Sequence, residues 1–321
     1  MDTMTGSPWR VERYSPDRAT QWNDFIAASR NATFLHDRRY MDYHQDRFTD
    51  CSWMAFKGDR LIALMPANIT ADGTLHSHQG LTYGGWLLPP AHIDGADLLH
   101  IFETAAGIWR GHGIRSLDYK PVPFIYSAQP SQEDEYALFR LGAVRSECNL
   151  SSAINLKLPP GLNKLQKRHL AAARKAGFEI EEVSSALEFM SLVAQCLAER
   201  HDACPVHTAE EIELLRNRFP EQIRMFGIRM EGALHAGVMI FDTGTVAHAQ
   251  YIATTPEGRE GNMLTPLFHW LITERYAERN YFDLGTSNED SGRYLNEGLL
   301  RQKFSYGATG VAYNRYRLDL T

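Results

Sequence analysis

Residues 262–316 decide the fold, and two segments within them carry most of the information. Residues 281–287 read YFDLGTS and residues 296–307 read NEGLLRQKFSYG. The first segment is an apolar run of strand length that ends in small and polar residues. The second is a polar start followed by helix-forming residues and an aromatic–Gly ending. A strand and a polar loop therefore meet near the carboxyl end of that strand, where open α/β sheets bind ligands.

The elements around these segments follow from periodicity. Apolar side chains recur at helical spacing from Leu264 to Tyr276, which predicts an amphipathic helix over residues 263–279. One or two helical turns are expected at residues 299–303 and a last strand at residues 311–318. The polar stretch between them is expected to be a loop.

The same order of elements occurs twice in the chain, which indicates an internal duplication. In each half, two strands joined by a Gly-containing turn precede a third strand, a Gly-containing loop, a helix and a further strand. The alignment places His78–Gln79 opposite Ala249–Gln250, and Leu117–Asp118 opposite Phe282–Asp283. The helices predicted before the first hairpin lie at residues 17–28 and 33–44.

These features resemble FemAB-like acyltransferases of the GNAT (Gcn5-related N-acetyltransferase) superfamily. The most specific part of the resemblance is the ending from Gly298 to Gly307, with Lys303 between them. It implies an α/β (α+β) fold of two tandem GNAT-like domains, with mixed, mainly antiparallel sheets flanked by helices. We place the domains at residues 1–155 and 156–321, with the acyl-donor site in the second.

Composition excludes several classes of protein. The chain of 321 residues is 44% hydrophobic and 22% charged, which is typical of folded globular domains. Its formal net charge of −6 provides no overall basic field for DNA. No apolar run approaches the roughly 20 residues of a membrane span, and the first 30 residues lack an apolar stretch of signal-peptide length. A cytoplasmic location is therefore expected.

The acyl-donor site is expected around the loop before the helix of residues 263–279. Free N–H groups and the helix dipole attract anions there, and the resemblance implies acyl-CoA as a co-substrate, with no permanently bound cofactor. The candidate donor-binding residues are Tyr251, Arg259, Gly261, Asn262 and Met263. The usual Arg/Gln-x-x-Gly-x-Gly/Ala pattern of GNAT pyrophosphate loops is not present. An equal alternative to a donor site is therefore that this segment only makes a turn and begins the helix.

Two residues are candidates for the chemistry. Lys303 matches the lysine of the FemAB ending, and the resemblance implies that it stabilises negative charge on a carbonyl oxygen. Asp283, on the strand beside it, could accept a proton from an attacking amine. The alternatives are a surface lysine and an aspartate that holds loop amides.

Seven further residues are candidates for binding the acceptor. They lie in the polar loop of the second half and in an aromatic, His-rich segment of the first half, namely Asn288, Arg293, Tyr294 and Asn296, and His78, Gln79 and Tyr83. No set of His, Cys, Asp and Glu has metal-ligand spacing, so no metal site is predicted.

The resemblance implies transfer of an acyl group from acyl-CoA or a similar thioester to a small-molecule amine, in cell-envelope or polysaccharide biosynthesis. Two alternatives stay open. One is FemAB-type transfer of an aminoacyl group from charged tRNA to a peptidoglycan precursor, for which the Lys/Arg-rich helix at residues 162–176 could contact phosphates. The other is a non-catalytic binding protein with the GNAT fold.

Overall fold

A computed structural model describes residues 9–159, 161–176, 178–201 and 204–321. The chain divides into two compact units. The first comprises the described residues up to Asn149 together with Ala312–Thr321, and the second is Leu150–Val311. The sequence placed the boundary after residue 155 and gave the last ten residues to the second domain. They belong to the first unit because Tyr316–Asp319 pair with a strand of that unit.

The first unit combines a small sheet with part of a larger one. Its strands are β1 (Trp9–Arg13), β2 (Trp53–Lys57), β3 (Arg60–Met65), β4 (Asn68–Ile69), β5 (Thr74–His76) and β6 (Ser116–Tyr119). Its α-helices are α1 (Ala19–Ala28), α2 (Arg38–Met41), α3 (Gly95–Gly111) and α4 (Glu133–Arg140). Strands β1, β2 and β3 pair in an antiparallel manner, whereas β5 and β6 are parallel.

Helix α3 supplies much of the core of the first unit. Its apolar face buries Phe102 and Trp109 against Trp53 and Trp86. Asp94 begins the helix, because its side chain accepts hydrogen bonds from the amides of Ala96 and Asp97. A cap followed by apolar residues at helical spacing therefore explains why this segment forms the helix that covers the sheet.

The strands from residue 144 onward lie wholly or partly in the second unit. They are β7 (Val144–Asn155), β8 (Glu179–Glu182), β9 (Ile223–Met230), β10 (Ala233–Asp242), β11 (Val246–Thr254), β12 (Tyr281–Thr286), β13 (Asn288–Glu289), β14 (Tyr294–Leu295) and β15 (Thr309–Asp319). The α-helices are α5 (Lys164–Ala176), α6 (Ala186–His201), α7 (Ala209–Arg218), α8 (Pro256–Glu260), α9 (Leu264–Trp270) and α10 (Glu297–Ser305). A π-helical turn, Leu271–Arg275, continues α9. Strands β7 and β15 each begin in one unit and end in the other.

Among the described residues, each unit contains a parallel strand pair beside antiparallel pairs. In the first unit His76 lies opposite Asp118 on β5 and β6. In the second unit His248 lies opposite Asp283 on β11 and β12. The prediction of mixed, mainly antiparallel sheets flanked by helices is thus confirmed, and the repeated parallel pair supports the duplication.

The alignment of the two halves agrees with the structure for Leu117–Asp118 and Phe282–Asp283 but is one residue out for the other pair. His76 and His248 share the same register position, so Ser77, and not His78, corresponds to Ala249. Strand β5 ends at His76, and His78 has a φ of 67°, which removes it from extended geometry.

Most predicted elements of the second half are present, including the last helical turns and the last strand. The helix predicted at residues 33–44 is instead three short turns, Phe34–His36, Arg38–Met41 and Asp42–His44. The expected loop after β11 contains the five-residue helix α8. Strand β7 was not predicted from the sequence, since its first half alternates weakly and is exposed.

Candidate functional site

Strands β11 and β12 separate within the second unit. They pair only at Val246–His248 with Tyr281–Asp283, while β11 continues to pair with β10 as far as Thr254. The structure describes every residue of this stretch. Over residues 249–254, one edge of β11 therefore has no neighbouring strand. An exposed strand edge presents N–H and C=O groups that an extended ligand can pair with.

A β-bulge lies on β11 just beyond the point of separation. Met239 pairs with Tyr251 and Ile240 with Ala249, which leaves Gln250 as the extra residue. Bulges of this kind occur next to active sites because they redirect local backbone groups. The hydroxyl oxygen of Tyr251 accepts a hydrogen bond from the His207 amide at 3.3 Å and lies 2.8 Å from His207 Nδ1.

A cleft of about 600 Å³, counting the solvent at its mouth, opens beside the end of β11. Most of its lining is polar, and it comes from α5, the end of β11, α8, the start of α9 and α10. The lining residues are Gln166, His169, Thr254, Gly258, Arg259, Asn262, Leu264, Thr265, Gln302 and Tyr306. All of them belong to the second unit.

A hydrogen-bond network forms one wall of the cleft. The buried side chain of Gln166 accepts from Thr265 Oγ1 at 2.7 Å and donates to Ser305 Oγ at 2.9 Å. Burial raises the pKa of the Tyr306 phenol, which also interacts with Thr265 and Gln166. Tyr306 is therefore neutral near pH 7 and able to donate a hydrogen bond to a bound group.

The loop that the sequence assigned to the acyl donor does line this cleft. Arg259 donates to the Thr254 carbonyl at 2.9 Å, and its Nη2 lies 3.6 Å from Glu199. Asn262 has a φ of 51° and lies just before α9. A Cβ on Gly258 would lie 2.3 Å from the His235 carbonyl oxygen, so only glycine fits this close approach.

Of the five predicted donor-binding residues, two line the cleft, namely Arg259 and Asn262. Gly261 ends α8, and the buried Met263 packs in the core of the unit. Tyr251 lies on the open part of β11. Their roles in binding an acyl donor stay predictions.

Lys303 is a buried residue held by backbone carbonyls. Its Nζ donates to the carbonyl oxygens of Gly285 at 2.8 Å and Thr286 at 2.7 Å. Burial lowers the pKa of Lys303 to about 8, and the nearby Asp283 carboxylate partly opposes that shift. The surface-lysine alternative is wrong, since Lys303 is only 7% exposed, whereas a catalytic role stays a prediction.

Asp283 is fully buried and accepts several hydrogen bonds. Its Oδ1 accepts from Ser151 Oγ at 2.7 Å and from the Gly285 amide at 3.0 Å. Its Oδ2 lies 2.9 Å from His248 Nδ1. The bond from the Gly285 amide fits the alternative that the sequence left open, an aspartate that holds loop amides. The contact with His248, which the sequence did not predict, orients that ring.

The polar loop after β12 is a small hairpin, β13–β14. The side chain of Asn288 organises it, accepting from the Leu150 amide at 2.6 Å and donating to the Gly292 carbonyl at 3.2 Å. Asn296 begins α10 by accepting from the Leu299 amide at 3.0 Å. Arg293 and Tyr294 are exposed, as are Glu289, Asp290 and Ser291 of the same loop, and the predicted acceptor-binding roles stay predictions.

The predicted acceptor residues of the first half do not line the cleft. Tyr83 and His78 are buried in the first unit, and burial lowers the pKa of His78 to about 3. Gln79 accepts from Asn68 Nδ2 at 2.8 Å. These contacts are local to the first unit, and the binding roles of the three residues stay predictions.

Sequence reasoning missed the wall formed by Gln166, Thr265 and Tyr306. The signal for Tyr306 was present, because it lies in the aromatic–Gly ending of residues 296–307. Gln166 carries no such signal, since only the docking of α5 brings it next to Ser305. No group of three or more potential metal ligands occurs in the described parts of the chain, and no described helix is long and apolar enough to cross a membrane.

Comparison with known proteins agrees with this geometry. Residues 164–294, all in the second unit, match the family described as acetyltransferase (GNAT) domain. No curated protein sequence matches the chain significantly.

Several solved structures share the fold over nearly the whole chain. FemX superimposes with a TM-score of 0.70 at 10% identity, covering 97% of each chain. L-PGS from Bacillus licheniformis gives a TM-score of 0.57 at 10% identity, covering all of this chain and 94% of the other. A tandem GNAT protein from the clavulanic acid biosynthesis pathway gives 0.55 at 13% identity, covering 98% and 99%.

Proposed function

We propose that this chain is an N-acyltransferase, because its fold is similar to those of FemX and of a tandem GNAT protein, and because residues 164–294 match the family described as acetyltransferase (GNAT) domain. The donor is an acyl-CoA or a similar thioester, and the acceptor is a small-molecule amine. The observation that carries the proposal is the open edge of β11 between the polar cleft and Lys303.

The donor would extend along the open strand edge. From Thr254 back to His248, β11 covers about 20 Å at the usual rise per residue. Arg259, His169 and Asn262 line the cleft at the Thr254 end, where they suit the phosphates of a nucleotide-bearing donor. An extended amide-containing arm could pair with residues 249–254 and bring its thioester toward His248 and Gly285.

The reaction proceeds by attack of a neutral amine on the thioester carbonyl. The new C–N bond forms as the C–S bond breaks, the amine loses one proton, and the thiolate leaves as a thiol after taking up one proton. Backbone amides near the bulge and the charged Lys303 would stabilise the negative oxygen. Asp283, through its contact with His248 or through a water, would accept the proton from the amine.

Aminoacyl transfer from charged tRNA to a peptidoglycan precursor is the second candidate. The fold likeness to FemX and the basic residues of α5 favour it. A non-catalytic binding protein is the third candidate, and the lack of the usual GNAT pyrophosphate pattern supports it. The FemAB resemblance supports substrates in cell-envelope or polysaccharide biosynthesis for either enzyme.

Thermal melting with acetyl-CoA, longer acyl-CoAs, free CoA and charged tRNA separates these candidates. A ligand at about 100 times its dissociation constant adds about 2.7 kcal/mol of stability. Stabilisation by acyl-CoA, followed by release of free thiol when amines are added, supports the proposal. Stabilisation by charged tRNA alone supports aminoacyl transfer, and tight binding without turnover supports the non-catalytic protein.

A further inference from the structure

A strongly basic segment interrupts an otherwise acidic chain. Between Glu147 and Glu179 the sequence contains six Lys and Arg residues and no Asp or Glu, although the formal net charge of the chain is −6. The centre of this segment is helix α5. A local concentration of one charge on such a chain indicates a polyanionic partner.

Helix α5 has two different faces. Gln166 and Ala173 are buried against the second unit, and Gln166 bonds to Thr265 and Ser305. The described side chains on the outer face are exposed. They are Lys164, Leu165, Lys167, Arg168 and Lys175.

Large apolar side chains are exposed on α5, on the helix bonded to it and in the segment before it. Leu165 is 45% exposed on α5, and Phe304 is 69% exposed on α10. The two helices meet through the Gln166–Ser305 hydrogen bond, which joins the residues next in sequence to Leu165 and Phe304. Leu158, in the segment before α5, is 63% exposed.

We infer that this surface, consisting of the outer face of α5 with Leu158 and Phe304, binds the surface of a membrane rich in anionic lipids. Cations along a helix attract lipid headgroups, and neighbouring apolar side chains enter the boundary between headgroups and acyl chains. Nucleic acid would use the same cations and could stack a base on Phe304, but the two aliphatic side chains, Leu158 and Leu165, offer no stacking face. Charge complementarity together with exposed leucines therefore favours lipid. This inference is independent of the acyl-transfer proposal.

Cosedimentation of the full chain with vesicles tests the inference. Vesicles of phosphatidylcholine alone are compared with vesicles in which one lipid in three is phosphatidylglycerol. We expect binding only to the anionic vesicles, at a salt concentration of about 0.1 M, and its loss at about 1 M, where the Debye length falls to about 3 Å.

Matched variants separate charge from apolar contact. The double variant Lys164→Glu/Lys167→Glu should weaken vesicle binding at least about tenfold, whereas Arg60→Glu/Arg110→Glu, the same charge change at exposed sites of the first unit, should not. Leu165→Ser should weaken binding, and Leu187→Ser, at a leucine 67% exposed on α6, should not. Phe304→Ser should also weaken binding, whereas Phe139→Ser should not, because Phe139 is 76% exposed but lies on α4, outside this surface.

Several outcomes would overturn the inference. One is no binding of the folded wild-type chain to anionic vesicles. Equal effects of the two charge variants, or vesicle binding unchanged by both Leu165→Ser and Phe304→Ser, would also overturn it. If the chain binds tRNA and does not bind vesicles, the cations bind nucleic acid. If the chain does not bind vesicles but self-associates, and Leu165→Ser abolishes that self-association, the surface binds a second copy of the chain. Far-UV circular dichroism of each variant shows that it is folded.

Discussion

His248 Nδ1 lies 2.9 Å from Oδ2 of Asp283, at the last register position before β11 and β12 separate. The first unit contains the same arrangement, with His76 Nδ1 2.8 Å from Asp118 Oδ2 at the corresponding position. Only the pair of the second unit lies beside an open strand edge and next to the carbonyl groups that hold Lys303. The duplication thus provides an internal control for the candidate site.

The first prediction uses that control. Asp283→Asn should lower the free energy of unfolding by about 1–3 kcal/mol, because hydrogen bonds from Ser151, Gly285 and His248 are weakened in a buried site. It should also lower kcat by about 100-fold or more if Asp283 takes part in removing the proton. Asp118→Asn should lower stability but leave kcat within a few-fold. The measurements are urea unfolding and thiol release, and equal effects on kcat would show that Asp283 is only structural.

The second prediction concerns pH. Burial lowers the pKa of Lys303 from 10.5 to about 8, so the charge on this side chain is present below pH 8 and is lost as the pH rises through it. The activity should therefore decline above about pH 8. Lys303→Met should lower kcat by about 100- to 1,000-fold, remove that decline and leave donor binding within a few-fold.

Lys120→Met is the matched control for Lys303→Met. Lys120 is also a lysine whose pKa burial lowers to about 8, and it also donates to a backbone carbonyl, that of Leu81, but it belongs to the first unit. The alkaline decline should persist in Lys120→Met. If it disappears there, or if it persists in Lys303→Met, the charge of Lys303 does not control the reaction.

The third prediction concerns donor phosphates. Arg259 lines the cleft and is only loosely paired with Glu199, at 3.6 Å. Arg259→Gln should raise the Kd for the donor about tenfold with little change in kcat, because a charge-assisted bond to phosphate is lost. Glu199→Gln should act in the opposite direction, since it removes a competing carboxylate. Isothermal titration with CoA measures both.

Arg279→Gln is the control for that experiment. Arg279 pairs with Asp242 at 2.7 Å in the same unit and does not line the cleft. Its replacement should leave the Kd unchanged. A loss of CoA binding in Arg279→Gln equal to that in Arg259→Gln would indicate a general electrostatic effect instead of contact with the donor.

Sequence reasoning reached the fold and a loop that lines the cleft, but not the other walls of the cleft. The pattern of residues 281–307 identified the strand, the helix and Lys303 because periodicity and the aromatic–Gly ending are local signals. It missed Gln166 and misaligned His78, because both depend on how distant segments dock or where a strand stops. The separation of β11 from β12 is likewise a property of register, which no local pattern specifies.

The last prediction tests the shape of the donor loop. A Cβ on Gly258 would lie 2.3 Å from the His235 carbonyl oxygen and 2.5 Å from Thr254 Oγ1, so Gly258→Ala must displace the backbone of β10 at His235 or the backbone of α8 itself. We expect a loss of about 1–3 kcal/mol in the free energy of unfolding, as in other overpacked sites, with weaker binding of CoA. Gly298→Ala is the control, because its nearest contact would be 3.6 Å away and alanine favours the helix by up to about 1 kcal/mol. Chemical unfolding measures the free energy of unfolding of both variants. Equal free energies would show that the close approach at Gly258 does not constrain the loop.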